Sequence, residues 1–252
     1  MTTYHFKKLA KEHEKGIIKM IKNVLTVNNA KTTKGESLNV LTGILYLQPD
    51  SRLCPFAKSA GCEKDCLITA GRMKMTMQTE ARIRKTERFK NDYENFMIDL
   101  VYSIKRIELE AEANGMKPAV RLNGTSDIMW ERQSFYYKDK YYNNLMELFP
   151  TVQFYDYTKI ARRFERPLPP NYDLTFSYSG TNDYQPSVEK ALKLKARIAI
   201  VFNGTQPDEY FGMRVINGDE HDVRFIEPQG VIVGLKAKGK AIKSDSLFII
   251  KV

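Results

Sequence analysis

The three cysteines of this chain lie within thirteen residues, and this cluster constrains the fold more than any other feature of the sequence. They are Cys54, Cys62 and Cys66 in the run CPFAKSAGCEKDC, with the spacing C-x7-C-x3-C. Thiols this close together are typical of a metal or iron–sulfur site, because several thiolates must reach one inorganic centre. The odd number of cysteines argues against a disulfide framework. The alternatives are three small buried apolar side chains on a loop, and a redox pair with one spare thiol.

Three thiolates are one fewer than a closed tetrahedral site requires. Structural zinc sites have four protein ligands, whereas catalytic zinc sites leave one position open. A [4Fe–4S] cluster held by three cysteines would expose one iron to a substrate or cofactor. A fourth protein ligand could be Asp65 inside the motif or one of the three histidines, which are His5, His13 and His221. The sequence does not decide between an open cluster and a closed site.

The composition bounds the partners and the location. With 40 Lys and Arg against 30 Asp and Glu, the net charge is +10 and the pI is about 9.3. This excess favours a polyanionic partner, either nucleic acid or a phosphorylated nucleotide substrate, although basic charge can serve solubility alone. No apolar run is long enough to span a bilayer, and the N-terminal MTTYHFKKLAKEHEK lacks the apolar core of a signal peptide. We therefore expect a cytoplasmic protein, a location that suits reduced cysteines.

The hydrophobic pattern predicts a single α/β domain over residues 1–252. An N-terminal helix (residues 4–27) and a loop occupy residues 1–39, and a partial (β/α)6 barrel occupies residues 40–252. The strand–helix alternation predicts a mainly parallel sheet of about six strands. A long helix, or two joined helices, is predicted over 75–113, and shorter ones at Tyr141–Phe149, Ile160–Phe164 and Ser187–Leu194. The predicted strands are Val40–Leu47, Ala119–Leu122, Val152–Tyr157, Leu174–Tyr178, Arg197–Phe202, Val223–Ile226, Val231–Leu235 and Leu247–Val252.

Polar residues follow several of these strands, where a parallel sheet forms its functional sites. Arg121, Asn123 and Asp127 after the second strand are predicted to position a cofactor, because Arg121 and Asn123 alternate along one face. Asp127 could instead cap a helix that begins at Ile-Met-Trp-Glu. The predicted substrate-side residues are Asp156, Lys159, Ser177 and Ser179. Ordinary turn chemistry is the alternative for each of them.

A run of basic residues follows the cysteine loop on the long predicted helix. The candidates for phosphate contacts are Arg82, Arg84, Lys85 and Arg88. Exposed aromatic residues such as Tyr136 and Tyr137 could stack on bases. The alternative is a helix face that simply meets water.

Seven segments together resemble a family of phage-encoded proteins labelled gene product 88. They are NAKTTKGE, ILYLQP, CPFAKSAGCEKDCL with a following AGR, AVRLNGTSDIMWE, QFYDYTK, LTFSYSG and GVIVGLKAKGKA, from about Asn29 to Lys240. The resemblance implies a phage origin, and hence the host cytoplasm, but no reaction.

The order strand, cysteine loop, helix, strand also resembles the radical S-adenosylmethionine (SAM) enzymes. That resemblance implies a [4Fe–4S] cluster whose open iron binds SAM. The common spacing there is C-x3-C-x2-C, from which this chain departs.

Two functional hypotheses follow. The first is a radical-SAM-like iron–sulfur enzyme that acts on a nucleotide or nucleic acid. The second is a non-catalytic, nucleic-acid-binding host-takeover protein with a structural Zn or Fe–S site. A serine- or cysteine-nucleophile hydrolase is disfavoured, because no G-x-S-x-G motif occurs and only three histidines could act as its base.

Overall fold

The computed structural model describes residue 16, residues 20–27, 32–63, 65–69 and 71–252. The strands are β1 Leu25–Thr26, β2 Val40–Leu45, β3 Lys117–Arg121, β4 Phe135–Tyr137, β5 Lys140–Tyr142, β6 Gln153–Thr158, β7 Tyr172–Ser177, β8 Ile198–Asn203, β9 Glu209–Tyr210, β10 Met213–Asn217, β11 Ile232–Lys236 and β12 Ile249–Lys251. The α-helices are α1 Thr33–Glu36, α2 Thr76–Asn91, α3 Tyr93–Asn114, α4 Leu145–Leu148 and α5 Gln185–Lys193.

Ten strands form one mostly parallel sheet. Its order is β1-β2-β3-β6-β7-β8-β11-β10-β9, and β12 pairs with β8. Six of these strands, from β2 through β3, β6, β7 and β8 to β11, follow one another in chain order, each parallel to the next. Consecutive parallel neighbours place all six carboxyl ends on the same edge of the sheet, which is the edge where polar loops can meet.

The helix pair α2–α3 makes the crossover from β2 to β3. Helix α3 presents a stripe of buried side chains to the sheet, including Phe96, Leu100, Ile104 and Ile107. Gly43 in β2 lets the helix approach closely, because a Cβ atom there would lie 3.0 Å from Ile107 and from Leu25. None of the helices in the described part of the chain is long and apolar enough to cross a membrane.

The prediction of a mixed α/β protein with a mainly parallel sheet is confirmed. The sheet has more strands than predicted. Among the described residues its two edge strands, β1 and β9, do not pair with each other, so the sheet is open. Two of its pairings are antiparallel, β1 with β2 and β9 with β10. The structure therefore confirms the mostly parallel sheet, whereas the partial (β/α)6 barrel and the resemblance to the radical SAM core remain predictions.

Several local predictions differ from the structure. Val223–Ile226 is not a strand: Arg224–Ile226 form a 3-10 helix, and Val223 is buried against the sheet beside Tyr155. The apolar residues of this segment therefore reflect burial rather than strand pairing. The predicted helix at residues 4–27 lies mostly outside the described residues, and Leu25–Thr26 at its end form strand β1.

The predicted helix Tyr141–Phe149 is shorter than expected. Its first residues belong to the hairpin strand β5, and only Leu145–Leu148 are helical. The boundary is set by Asn144, whose side chain accepts a hydrogen bond from the amide of Glu147 at 3.0 Å. Such an N-cap satisfies a free amide of the first turn and fixes where a helix begins.

Candidate functional site

The cysteine loop begins directly after β2 and is shaped by Asp50. The Asp50 carboxylate accepts hydrogen bonds from the amides of Arg52 and Leu53, at 2.9 and 3.0 Å. The amide of Cys54 donates to the Asp50 carbonyl at 2.8 Å. This turn brings the Cys54 sulfur to 3.8 Å from the carbonyl of Thr125, which follows β3. The first thiol therefore lies at the carboxyl edge of the sheet.

Two serines fix the middle of the loop. The hydroxyl of Ser179, just after β7, donates to the carbonyl of Ala60 at 2.7 Å. Ser246 donates to the carbonyl of Gly61 at 3.0 Å, and Gly61 has a positive φ of 62°. A positive φ is readily adopted only by glycine, so Gly61 permits this turn. Ser179, predicted on the substrate side, thus holds the cysteine loop in place.

The three thiols share one partly buried neighbourhood. Cys54, Cys62 and Cys66 are free cysteines of intermediate exposure. Burial raises the pKa of all three thiols, and the charges of Asp127, Cys66 and Cys62 raise the pKa of Cys54 further. Within the described ranges, no group of three or more His, Cys, Asp or Glu side chains is arranged so that it could hold a metal ion.

Lys159 connects this neighbourhood to the neighbouring strand ends. Its amide donates to a carboxylate oxygen of Asp127 at 2.7 Å, and its ammonium donates to the Ser177 hydroxyl at 3.2 Å. The ammonium also lies 4.6 Å from the centre of the Phe248 ring. Burial lowers the pKa of Lys159, and the nearby Cys62 and Asp127 partly oppose this shift. The predicted substrate-side residues Lys159 and Ser177 are therefore in direct contact, close to the thiols.

Asp127 is not a helix cap. The following 3-10 helix, Trp130–Arg132, has Met129 at its N-cap position and no side-chain cap. One oxygen of the buried Asp127 carboxylate accepts from the Lys159 amide, while the other has no hydrogen bond and lies 3.5 Å from the guanidinium of Arg163. Burial raises the pKa of Asp127, and the charge of Arg163 opposes the rise. After burial, the charge of Asp127 is the largest cause of the raised pKa of Cys54.

Asp156 and Asn123 bind each other. The Asp156 carboxylate accepts from the backbone amide of Asn123 at 2.6 Å, from its side chain at 3.3 Å and from the Tyr172 hydroxyl at 2.7 Å. Complete burial raises the pKa of Asp156 to about 7, although these hydrogen bonds lower it. Both predicted site residues therefore support the edge of the sheet from within.

Arg121 lies apart from Asn123. The strand ends at Arg121, whose guanidinium donates to Asp222 at 2.7 Å and lies 4.6 Å from the centre of the Tyr157 ring. Asp156 alternates with Tyr157 along β6, so their side chains lie on opposite faces of the sheet. Asn123 bonds to Asp156, and the expectation that it shares a face with Arg121 is therefore wrong. Residues two apart share a face only within a strand, and β3 ends at Arg121, before Asn123.

The four basic candidates on the helix do not form an exposed cationic face. Arg82 is only 3% exposed and donates to Gln48 and to the Met73 carbonyl. Lys85 donates to a backbone carbonyl, and burial lowers its pKa to about 8. Arg88 pairs with Asp99. The Arg84 side chain, with 62% exposure, faces solvent beside Glu80.

Sequence reasoning missed a buried ion pair behind the site. Arg163 donates to both carboxylate oxygens of Glu131, at 3.0 and 2.7 Å, and to the Tyr172 hydroxyl at 2.9 Å. It thereby joins the Asp156 and Asp127 groups. The sequence shows only that Glu131 and Arg163 are charged residues in segments rich in aromatic residues. It does not show that the two pair, because they are 32 positions apart.

Of the proposed fourth ligands, Asp65 and His221 have other neighbours. Asp65 accepts a hydrogen bond from Ser244 at 2.8 Å, and His221 lies 3.9 Å from Glu227. His5 and His13 lie outside the described residues.

Fold and site together define a mixed α/β protein with a three-cysteine loop at the carboxyl edge of a mostly parallel sheet. The family model described as Gene product 88 matches residues 20–251. The chain therefore belongs to the gene product 88 family, as its motifs indicated. No curated protein and no solved structure matches it.

The raised pKa of Asp156 predicts a pH-dependent stability. The folded protein holds this proton up to a pH of about 7, whereas an unfolded aspartate loses it near ~4. The contribution of Asp156 to the free energy of unfolding should therefore fall as the pH rises from about 4 to about 7. Asp156→Asn should flatten this part of the profile in urea unfolding, whereas Asp139→Asn in an exposed turn should leave it unchanged. Parallel profiles for the Asp156→Asn variant and the original protein would contradict the assignment.

Proposed function

We propose that this chain is an iron–sulfur protein in which Cys54, Cys62 and Cys66 ligate a [4Fe–4S] cluster, and that it acts as a radical-SAM-like enzyme on a nucleotide or nucleic acid. One observation carries the proposal. Three free thiols share a partly buried neighbourhood with the ammonium of Lys159. This neighbourhood lies at the carboxyl edge of the parallel strands, where α/β proteins bind their ligands.

The charges near the thiols support a thiolate-bound centre. The Lys159 ammonium donates to neutral oxygens, those of Ser177 and the Tyr178 carbonyl. A buried cation is costly unless negative charge lies nearby. Asp127 supplies part of that charge, and thiolates ligating a metal would add to it. Soft thiolate donors select zinc or iron–sulfur centres. The chemistry of the three donors therefore fits such a group, although among the described residues the thiols are not arranged around one metal position.

The strand order supports a cluster of the radical SAM type. Six parallel strands follow one another in chain order, and the cysteine loop comes directly after the first of them. This is the arrangement that the sequence resemblance implies. When bound, a cluster with an open iron would bind SAM and supply the electron for its reductive cleavage.

The chain's own residues divide into two groups in this proposal. Lys159 and Ser177 lie at the thiols and would contact the cofactor or substrate, and Asp127, with one unbonded carboxylate oxygen, would accept from a bound hydroxyl or ammonium group. Asn123, Asp156 and Ser179 would position these groups through the hydrogen bonds described above. Arg121 would hold its place through Asp222 and Tyr157.

A structural zinc site in a nucleic-acid-binding protein is the alternative. It is favoured by the unbonded oxygen of Asp127, because a carboxylate whose charge reaches the Cys54 and Cys62 thiols could serve as a fourth ligand. In both proposals the net charge of +10 attracts a nucleotide or nucleic acid. The number and kind of metal ions distinguish the two.

Replacing Cys54 by Ala should remove the metal and destabilise the protein together, because metal binding contributes to folding. After anaerobic purification, the original protein should carry about four Fe per chain and absorb broadly near ~400 nm. Metal analysis and the absorbance spectrum of Cys54→Ala, Cys62→Ala and Cys66→Ala measure the loss.

Ser59→Ala is the matched control. It changes the same loop but leaves all three thiols, so it should retain the iron. Full iron content in any of the cysteine variants would refute the ligand assignment, whereas one Zn and no colour would establish the alternative.

Asp127→Asn should weaken SAM binding to the reconstituted protein, because it removes a negative charge beside the thiols. The asparagine oxygen can still accept from the Lys159 amide, so iron content should be preserved. Calorimetric titration with SAM measures the change, which we expect to be about tenfold, the loss of one charge-assisted hydrogen bond. Asp139→Asn, in the turn of the β4–β5 hairpin, serves as the control. Equal SAM affinity in the Asp127→Asn variant and the original protein would show that Asp127 only supports the fold.

A further inference from the structure

The β4–β5 hairpin forms a two-stranded sheet separate from the main sheet and exposes aromatic rings. Tyr136 and Tyr141 pair directly across it, with exposed fractions of 61% and 49%. On the opposite side, Phe135 and Tyr137 are buried, and Phe135 belongs to the main apolar core. The inner face is therefore held by the core, whereas the outer face carries the paired tyrosine rings.

The two outer rings form a fixed platform. Their centres lie 5.4 Å apart with an angle of 66° between the ring planes. The turn that joins the strands places both Lys138 and Asp139 at positive φ, 50° and 58°. This two-residue geometry matches the twist of a hairpin and sets its register. Because the rings are edge to face, each leaves a separate surface on which a planar group can stack.

Three lysines lie at the hairpin, in contact with the tyrosine rings of its inner face. The ammonium groups of Lys105 and Lys138 each lie 5.5 Å from the centre of the Tyr137 ring, and that of Lys140 lies 4.7 Å from the Tyr142 ring. A shallow cavity of about 500 Å³ between the hairpin and α3 is lined in part by Lys138 and by two carboxylates, Glu94 and Asp139. Lys138 and Tyr136 line this cavity together, so a cation lies beside the outer ring.

We infer that the outer face of this hairpin binds single-stranded nucleic acid, whose bases stack on Tyr136 and Tyr141 and whose phosphates contact Lys138 at the turn and Lys140 beside it. Single strands are bound by this combination of aromatic rings and positive charge. A duplex would not fit, because its bases are already stacked within the helix. The charge of the whole chain, +10, favours the same polyanion.

The inference is independent of the metal centre. It places a nucleic-acid contact at a site separate from the helix residues that the sequence indicated, of which Arg82 is buried and Arg88 is paired with Asp99. If a hairpin variant loses nucleic-acid binding but keeps its metal content, the hairpin binds nucleic acid independently of the metal centre. Loss of metal with unchanged binding would concern the cysteine loop alone.

The test measures binding of the full chain to labelled oligonucleotides by fluorescence anisotropy, at ~50 and ~200 mM salt. The probes are oligo-dT and oligo-U of about 15 nucleotides, a length that covers one or a few binding sites of a single-strand-binding protein. Tyr136→Ala and Tyr141→Ala should each weaken binding by about tenfold, since each removes one stacking surface. Tyr136→Phe and Tyr141→Phe keep the rings and should bind like the original protein. Lys138→Ala combined with Lys140→Ala should reduce the dependence of affinity on salt.

Phe211→Ala is the matched control, because Phe211 is a 46% exposed aromatic residue at another hairpin. It should not change the affinity. Circular dichroism shows whether each variant is folded, and the phenylalanine variants separate stacking from stability. Binding of neither oligonucleotide at ~50 mM salt, or unchanged affinity in folded Tyr136→Ala and Tyr141→Ala variants, would overturn the inference. The tyrosines would then be a surface for protein contacts.

Discussion

The buried carboxylate of Asp156 is the interaction on which the edge of the sheet depends. It joins Asn123 after β3 to Tyr172 on β7, and it lies itself on β6 between them. Tyr172 in turn accepts from Arg163, and Arg163 lies against Asp127. A continuous set of polar contacts therefore runs from the centre of the sheet to the loops that hold the thiols. Because these groups are buried, their contacts fix their positions together, and the last contact, between Arg163 and Asp127, is an ion pair at 3.5 Å without a hydrogen bond.

This arrangement explains why the cysteine loop lies where it does. The loop is tied to the segment after β3 through Thr125, to that after β7 through Ser179 and to the C-terminal segment through Ser246. Parallel neighbours bring these segments to one edge. A loop of polar, irregular sequence can then hold three thiols in a partly buried place without forming a strand or helix of its own.

The sequence predicted those features that depend on local pattern. The run IAIVF in β8 is uninterrupted because a parallel strand is buried on both faces, and the apolar spacing of α3 was equally clear. Strands β9 and β10 were missed because β10 is partly exposed along its length and has no alternation. The β4–β5 hairpin was missed because Lys138 and Asp139 occupy positive φ without the usual Asn-Gly signal.

The site was only partly predictable for a related reason. The spacing of three cysteines is a property of one short segment, and the structure does bring them into one neighbourhood. Partners far along the chain are invisible in such a pattern: Arg121 with Asp222 is separated by 101 residues, and Ser179 with Ala60 by 119. The basic run on helix α2 was misinterpreted for a different reason. A run of charged residues predicts an exposed face, but the side chain of Arg82 is buried.

The most direct test of the account is anomalous X-ray diffraction from crystals grown without oxygen, collected on both sides of the iron absorption edge. A cluster held by the cysteine loop predicts an iron peak bonded to the sulfurs of Cys54, Cys62 and Cys66, with Lys159 beside it. An iron peak bound elsewhere, or three thiols without a metal peak in crystals of protein that retains its iron in solution, would contradict it.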